Sequence, residues 1–224
     1  MFRSDICIVI PAFNEEKTIG SVIQGLVDRY RVIVVDDCSN DRTQEISEAH
    51  GAIVERSAVN VGYDGALNIG FRKALELGTS YLITADADGQ HSQEAIVNCA
   101  DLLLDGHTLV LGVRDGMQRY GERLFSFITK KIGVSDPLCG LKGYGRLAFR
   151  DKKSFDSYNS IGTDLLFYAI SQGNKPYQFN ITMKARADRP RFGSGVSANK
   201  KIVKAMLLSI WRYKALFFRK SLLE

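Results

Sequence analysis

Four short apolar runs, each closing on polar or charged residues, constrain this chain more than anything else in it. They are residues 6–11, 32–35, 81–84 and 108–112; residues 52–54 make a weaker fifth. Short β-branched runs bounded by turn residues predict strands buried on both faces. Between them, Ile19, Val22, Ile23, Leu26 and Val27 repeat at helical spacing, as do Ala66, Ile69, Gly70, Lys73, Ala74 and Leu77, and residues 95–104. Strands alternating with helices predict an α/β sandwich around a mainly parallel sheet.

After residue 115 the alternation fades. The pattern predicts a helix over 117–131, an irregular Gly-rich segment over 136–144, a helix over 161–171 and a strand over 177–184. A basic loop over 186–195 and a final helix over 197–220 follow. At 224 residues with 45% hydrophobic and 25% charged content, the chain suits a globular domain with a sizeable core and is no disordered or collagen-like chain. The apolar runs are shorter than the about 20 residues a membrane-spanning helix takes. The start lacks a signal-peptide pattern, so the expected place is the cytoplasm, with peripheral contact to the inner membrane face left open. Cys7, Cys38, Cys99 and Cys139 are scattered, without metal-ligand spacing, and are expected to be core or bystander thiols.

The net charge of +5 is uneven. From residue 184 onward 11 Lys and Arg face two acids, so the basic character belongs to the tail and the body is acidic. A basic tail suits an anionic surface.

In an open α/β sheet, ligands bind outside the carboxyl ends of the strands. Reading the strand ends together gives Pro11-Ala12-Phe13-Asn14-Glu15, Asp36-Asp37-Cys38-Ser39, Asp86-Ala87-Asp88-Gly89-Gln90-His91 and Gly112-Val113-Arg114-Asp115. Carboxylates gathered on one rim repel one another unless a metal or hydrogen-bonded ligand offsets the repulsion. Asp86 and Asp88, two residues apart at a strand end, can hold a hard divalent ion, Mg²⁺ or Mn²⁺, with Gln90 adding a carbonyl oxygen. The plain alternative is an acidic turn in which Asp88 caps the next helix. Neither a P-loop nor a G-x-G-x-x-G turn is present.

These segments, with Asn60-Val61-Gly62-Tyr63-Asp64-Gly65-Ala66-Leu67-Asn68-Ile69-Gly70, resemble the family 2 glycosyltransferases of the GT-A fold. Within that family the likeness is greatest to dolichyl- or polyprenyl-phosphate sugar transferases, specific over about residues 4–145. The resemblance implies a nucleotide-sugar donor, UDP- or GDP-linked, with Pro11, Ala12, Asn14 and Glu15 along base and ribose and Asp36 or Asp37 accepting from the base. It brings the backbone at Gly62 close to the nucleotide and assigns Asp86, Asp88 and Gln90 to the metal. Arg114 would lie near the phosphates, and Arg123 or Arg119 near another family arginine. Asp136, Cys139, Gly140 and Lys142 would face the acceptor, and Asp164 is the candidate base. Each has a plain counterpart: strand-end turns for Asp36 and Asp37, a turn glycine at 62, surface arginines, a structural loop over 136–142, and a helix-dipole partner for Asp164. The chain departs from the family at Arg189-Pro190-Arg191-Phe192-Gly193-Ser194-Gly195, which lacks the usual Ser-Lys. Lipid phosphate and glycan therefore both stay open as acceptors.

The expected organisation is a catalytic domain over 1–195 and a basic amphipathic helix over 196–224. On a helical wheel Lys200, Lys201, Lys204, Arg212, Lys214 and Arg219 fall on one side, with Val203, Met206, Leu207, Ile210 and Phe217 on the other. That helix meets either an anionic membrane or the catalytic domain. The expected chemistry is metal-dependent, inverting sugar transfer. Competing readings are a catalytically silent module recruiting a partner through its tail, and a nucleotidyltransferase; nucleic acid is not an expected partner.

Overall fold

The computed structural model describes residues 2–116, 119–152, 154–155, 160–184 and 195–218, the last stretch without the side chains of 195–197 and 218. In chain order the elements are β1 (Arg3–Ala12), α1 (Ile19–Ile23), β2 (Tyr30–Asp36), α2 (Thr43–Ala49), β3 (Ile53–Arg56), α3 (Gly62–Glu76), β4 (Tyr81–Thr84), α4 (Gln93–Leu104) and β5 (Leu109–Arg114). Then come α5 (Tyr120–Thr129), a 3-10 turn (Lys130–Ile132), β6 (Lys142–Gly145), α6 (Arg146–Phe149), α7 (Asp164–Ser171), β7 (Tyr177–Ile181), α8 (Gly195–Arg212) and α9 (Lys214–Phe218).

The strands form one seven-stranded sheet in the order β3-β2-β1-β4-β6-β5-β7. All neighbours pair in parallel except β6, which runs antiparallel to both β4 and β5. The expected α/β sandwich with a mainly parallel sheet is therefore the observed fold. Side chains alternate across each strand. Ile6, Ile8, Ile10 and Ala12 of β1 enter one core with α1 and α4, while Cys7 and Val9 enter the opposite core with α3 and α7. Three of the four cysteines are buried and all are free, as expected.

Two expectations change. The segment over 136–144 is not wholly irregular, because it ends in β6, whose Lys-Gly-Tyr-Gly sequence carries no apolar run. Gly143 is needed there for packing: a Cβ would come within 2.7 Å of Cys99 Sγ, so only glycine lets α4 lie against this strand. The last helix also divides differently. Ile202 and Met206 form a third cluster with Phe125 of α5 and Phe167 of α7, so its apolar side packs on the body of the protein. Leu207, assigned to that side by the wheel, is instead 57% exposed, and Arg212, exposed itself, reaches the buried Asp164. The basic loop over 186–194 and residues 219–224 lie outside the described residues.

Candidate active site

The carboxyl ends of β2, β1, β4 and β5 lie along one edge of the sheet, and antiparallel β6 starts from that same edge. Topology thus brings the loop before β6, with Asp136, Cys139 and Gly140, to the rim made by the four expected strand ends.

On the β1–β2 side the loops are laced together. Asn14 takes a left-handed conformation (φ 54°); its N–H donates to Ser39 Oγ (2.9 Å) and its Oδ1 accepts from the Asn40 N–H (2.8 Å). The Glu15 N–H donates to Thr43 Oγ1 (2.7 Å), and its buried carboxylate accepts from Thr18 (2.8 Å). Pro11 and Ala12 end β1, and the Ala12 carbonyl accepts from the Asp37 N–H (2.8 Å). Asp36 is fully buried; it accepts from the Ser39 N–H (3.0 Å) and pairs with Arg56. Asp37 accepts from the N–H groups of Val61 (2.7 Å) and Gly62 (2.8 Å), where α3 begins. Gly62 has φ +76°, a conformation that favours glycine, and nothing stands within 4 Å of where its Cβ would be. These two aspartates fasten the loops at the ends of β2 and β3 and at the start of α3. Sequence reasoning did not single out Arg56, whose partner lies 20 residues away with no local spacing to mark it.

At the end of β4, Asp86 is held from three sides. Its Oδ1 accepts from the Tyr63 hydroxyl (3.3 Å), and its backbone N–H donates to His91 Nδ1 (3.3 Å). An imidazole that accepts at Nδ1 carries its proton at Nε2, and His91 Nε2 lies 3.8 Å from Asp86 Oδ2. On the third side the carboxylate presses on the Cα of Gly140, whose carbonyl accepts from Thr84 Oγ1 (2.7 Å). Asp88 accepts from the Gln90 N–H (3.1 Å). It does not cap α4; Ser92 does, accepting from the Ala95 N–H (3.1 Å). Gln90 joins Lys184 through both its backbone carbonyl (3.0 Å) and its side-chain amide (3.4 Å).

At the end of β5, Arg114 makes a two-pronged pair with Asp136, Nε at 2.7 Å and Nη2 at 2.9 Å. Glu122 lies 3.8 Å from Arg114 and 3.0 Å from Arg119. Burial works against the Arg114 charge, but Asp136 and then Glu122 hold the guanidinium more firmly protonated than usual. Arg123, by contrast, points to solvent from α5. Cys139 is buried with Sγ 4.0 Å from His91 Nε2; burial first, then Asp136, pushes its thiol up to about 12. It packs beneath the site as a neutral thiol. Lys142 is buried on β6 beside Thr84 and Leu111.

Asp164 opens α7 but is engaged elsewhere. It accepts from Lys152 Nζ (2.8 Å), Arg212 Nη1 (3.0 Å) and the Tyr213 hydroxyl (2.8 Å). Burial opposes its charge, yet Lys152, Tyr213 and Arg212 hold the carboxyl below its usual range. A carboxylate so stabilised is a poor proton acceptor, so the geometry favours an anchor for the last helix over the expected base.

Among the described residues no three His, Cys, Asp or Glu side chains are grouped to hold a metal, and no helix is long and apolar enough to cross a membrane. The Arg189–Ser194 stretch that departs from the resembled pattern lies outside the described residues.

Known proteins resemble this chain in sequence and fold. An uncharacterized protein of Methanocaldococcus jannaschii is 34% identical over 193 residues, covering 77% of this chain and 79% of its own. The UDP-N-acetylglucosamine–dolichyl-phosphate N-acetylglucosaminyltransferase of Methanococcus voltae is 30% identical over 65% of this chain and 71% of its own. A dolichyl-phosphate hexose transferase of Haloferax volcanii is 28% identical over 91% of this chain and 94% of its own. Glucosyl-3-phosphoglycerate synthase of Mycobacterium tuberculosis, solved with Mn²⁺ and uridine-diphosphate-glucose, matches with TM-score 0.72 and 25% identity over 92% of this chain and 79% of its own. The model of glycosyl transferase family 2 matches residues 7–133, from the middle of β1 to beyond α5. That match spans more than half of the chain and takes in all four strand ends of the rim, so the chain belongs to glycosyl transferase family 2 and is a nucleotide-sugar glycosyltransferase.

Proposed function

We propose that this enzyme transfers a sugar, with inversion, from a UDP- or GDP-linked donor to a dolichyl or polyprenyl phosphate, and that it does so with a divalent metal. The observation that carries the proposal is the Asp86 carboxylate, fixed by Tyr63, His91 and the bare Cα of Gly140 at the centre of the rim.

The donor set fits Mg²⁺ or Mn²⁺. Asp86 and Asp88 offer hard oxygen ligands, and such ions commonly take one or two carboxylates and complete their shell with substrate phosphates and water. When bound there, such an ion offsets the charge growing on the leaving diphosphate. The resemblance to UDP-glucose- and Mn²⁺-bound synthase structures supports the same assignment.

The remaining work falls to the chain. The loops pinned by Asn14, Glu15, Asp36 and Asp37 shape the base and ribose cleft, with Gly62 admitting close backbone approach. Arg114, its fork fixed by Asp136, presents positive charge toward the diphosphate as the bond from the anomeric carbon to the leaving oxygen breaks. The acceptor oxygen attacks from the side of the loop 136–142.

The state of Asp164 favours lipid phosphate over a glycan hydroxyl. A hydroxyl must lose a proton to a base, whereas a phosphate oxygen is already anionic and needs none. The dolichyl-phosphate substrates named for two relatives point the same way. We place the enzyme at the cytoplasmic face of a membrane, with α8 as its contact.

The test is release of UDP or GDP from a panel of nucleotide sugars by wild type and Asp88→Ala, with Mn²⁺, Mg²⁺ or EDTA, with and without a short polyprenyl phosphate. The expected result is metal-dependent release, stimulated by the lipid and abolished by Asp88→Ala. Stimulation by glycan alone would overturn the acceptor. Pyrophosphate formed from a sugar phosphate and a nucleoside triphosphate would point to a nucleotidyltransferase, and no turnover at all to a recruiting module.

A further inference from the structure

We infer that α5 and α8 together form a docking face for an anionic lipid bilayer, so that a second helix shares the contact with the C-terminal one. The inference deepens the lipid-phosphate reading and rests on it for its purpose. Its evidence is separate.

The two helices lie side by side. The Gly121 N–H at the start of α5 donates to Asn199 Oδ1 of α8 (2.9 Å), and Leu124, Ile128, Val203 and Ile210 pack on the same apolar cluster. Their inward faces are thereby accounted for, and their outward faces are unusual. Tyr120 is 77% exposed, Phe127 70% and Trp211 74%. With Leu207, these are four of the nine large apolar side chains exposed among the described residues, and they stand on just two elements. On α5, Tyr120, Arg123 and Phe127 recur at i, i+3 and i+7; on α8, Lys200, Lys204, Leu207 and Trp211 recur at i, i+4, i+7 and i+11. Each set is one stripe of a helix. Lys200, Val203, Lys204, Leu207, Leu208 and Trp211 line a shallow apolar depression along α8.

Charge identifies the occupant. Residues 119–133 contain one acid, Glu122, which is buried, and residues 195–218 contain none. Arg123, Lys130, Lys131, Lys200, Lys204 and Lys214 are all exposed. Aromatic and aliphatic side chains ringed by Lys and Arg, with no opposing acid, match the boundary between anionic headgroups and acyl chains. A nucleic acid would be met by the charge but has no comparable use for Leu207 and Phe127 in line with it. The face also ends beside the chemistry: Glu122, one turn into α5, contacts Arg114. Docking would set the rim next to an acceptor phosphate at the bilayer surface.

Trp211 is the sole tryptophan of the chain and so reports on the face directly. The full-length protein is mixed with vesicles of phosphatidylglycerol and phosphatidylcholine, or of phosphatidylcholine alone, and binding is read by sedimentation and by Trp211 emission. The expected result is binding and a blue shift with anionic vesicles only. Tyr120→Ser with Phe127→Ser, which leave the reporter in place, should weaken binding about tenfold or more, as should Lys200→Glu with Lys204→Glu. UDP or GDP release from donor in solution should be unchanged in both variants, which also shows that they fold. Absent vesicle binding by wild type, retention on single-stranded RNA in its place, or undiminished binding of the Tyr120 and Phe127 variant would each overturn the inference. If vesicles bind but a short polyprenyl phosphate accepts no sugar, the acceptor reading fails while the docking face stands.

Discussion

The carboxylate of Asp86 occupies the space in which a side chain on residue 140 would stand. A Cβ on Gly140 would overlap both carboxylate oxygens and the carbon between them. Two segments 54 residues apart in sequence thus share one volume, and a strand-end carboxylate keeps its direction because its neighbour has no side chain.

Gly140→Ala should therefore act on chemistry more than on folding. The methyl group must push Asp86 aside or move the 136–142 loop, an overpacking strain of about 1–3 kcal/mol. Displacing a reacting-site group by about 1 Å can cost on the order of 100-fold in rate. The expected outcome is a fall of that order in kcat/KM for sugar transfer, with a cooperative unfolding transition retained. Near wild-type turnover would mean that the position of Asp86 does not govern the reaction.

Arg114 and Asp136 predict a separation of stability from activity. Asp136 is 1% exposed at its side chain, so Arg114→Ala would leave a buried carboxylate without its main partner. Losing one member of such a pair costs about 3–5 kcal/mol. Arg114→Met combined with Asp136→Asn removes both charges and should recover much of that loss in urea unfolding. On the role proposed for Arg114 beside the diphosphate, transfer should stay depressed by about 100-fold or more in both variants. Recovery of transfer in the double variant would confine Arg114 to a structural role.

The parts of this fold that were legible in the sequence are those whose residues must be apolar on consecutive positions. β1 and β2 are buried on both faces, so Ile6 to Ile10 and Val32 to Val35 announce themselves. β6 is equally central but has Gly143 where α4 approaches and a buried lysine at 142, and neither resembles a strand residue. α2 is a helix with Thr43 and Ser47 as its buried side chains, which leaves no apolar stripe to detect. At the site, the acidic strand ends were visible because topology obliges parallel strands to deliver them to one edge. The pairings that decide what each acid does were not. Asp36 meets Arg56, Arg114 meets Glu122, and Asp164 meets Arg212, 48 residues on. No local spacing encodes these contacts. The wheel for the last helix found an apolar side, but only the packing of Ile202 and Met206 on Phe125 and Phe167 shows which apolar residues face inward and which remain outside.

Asp164 makes a prediction about acid that distinguishes an anchor from a base. Its carboxyl is held below the usual range, so the unfolded chain takes up a proton there at higher pH than the folded protein does. The stability this supplies is fully present above the unfolded value, about pH 3.9, and is lost as pH falls through the lower folded value. Asp164→Asn removes the anion that Lys152, Arg212 and Tyr213 surround, and should destabilise the protein by about 2 kcal/mol near neutral pH. As pH falls below about 4, the unfolded chain takes up a proton at Asp164 before the folded protein does, and the gap between the two proteins should narrow. Urea unfolding of both at pH 7, 4 and 3 measures that gap directly. A gap of the same size at every pH would show that the charge of Asp164 is not what fastens α8. Transfer to a short polyprenyl phosphate by the folded variant completes the comparison: an anchor leaves the bond-forming step proceeding, and loss of transfer by a folded variant would give Asp164 a part in the reaction beyond fastening α8.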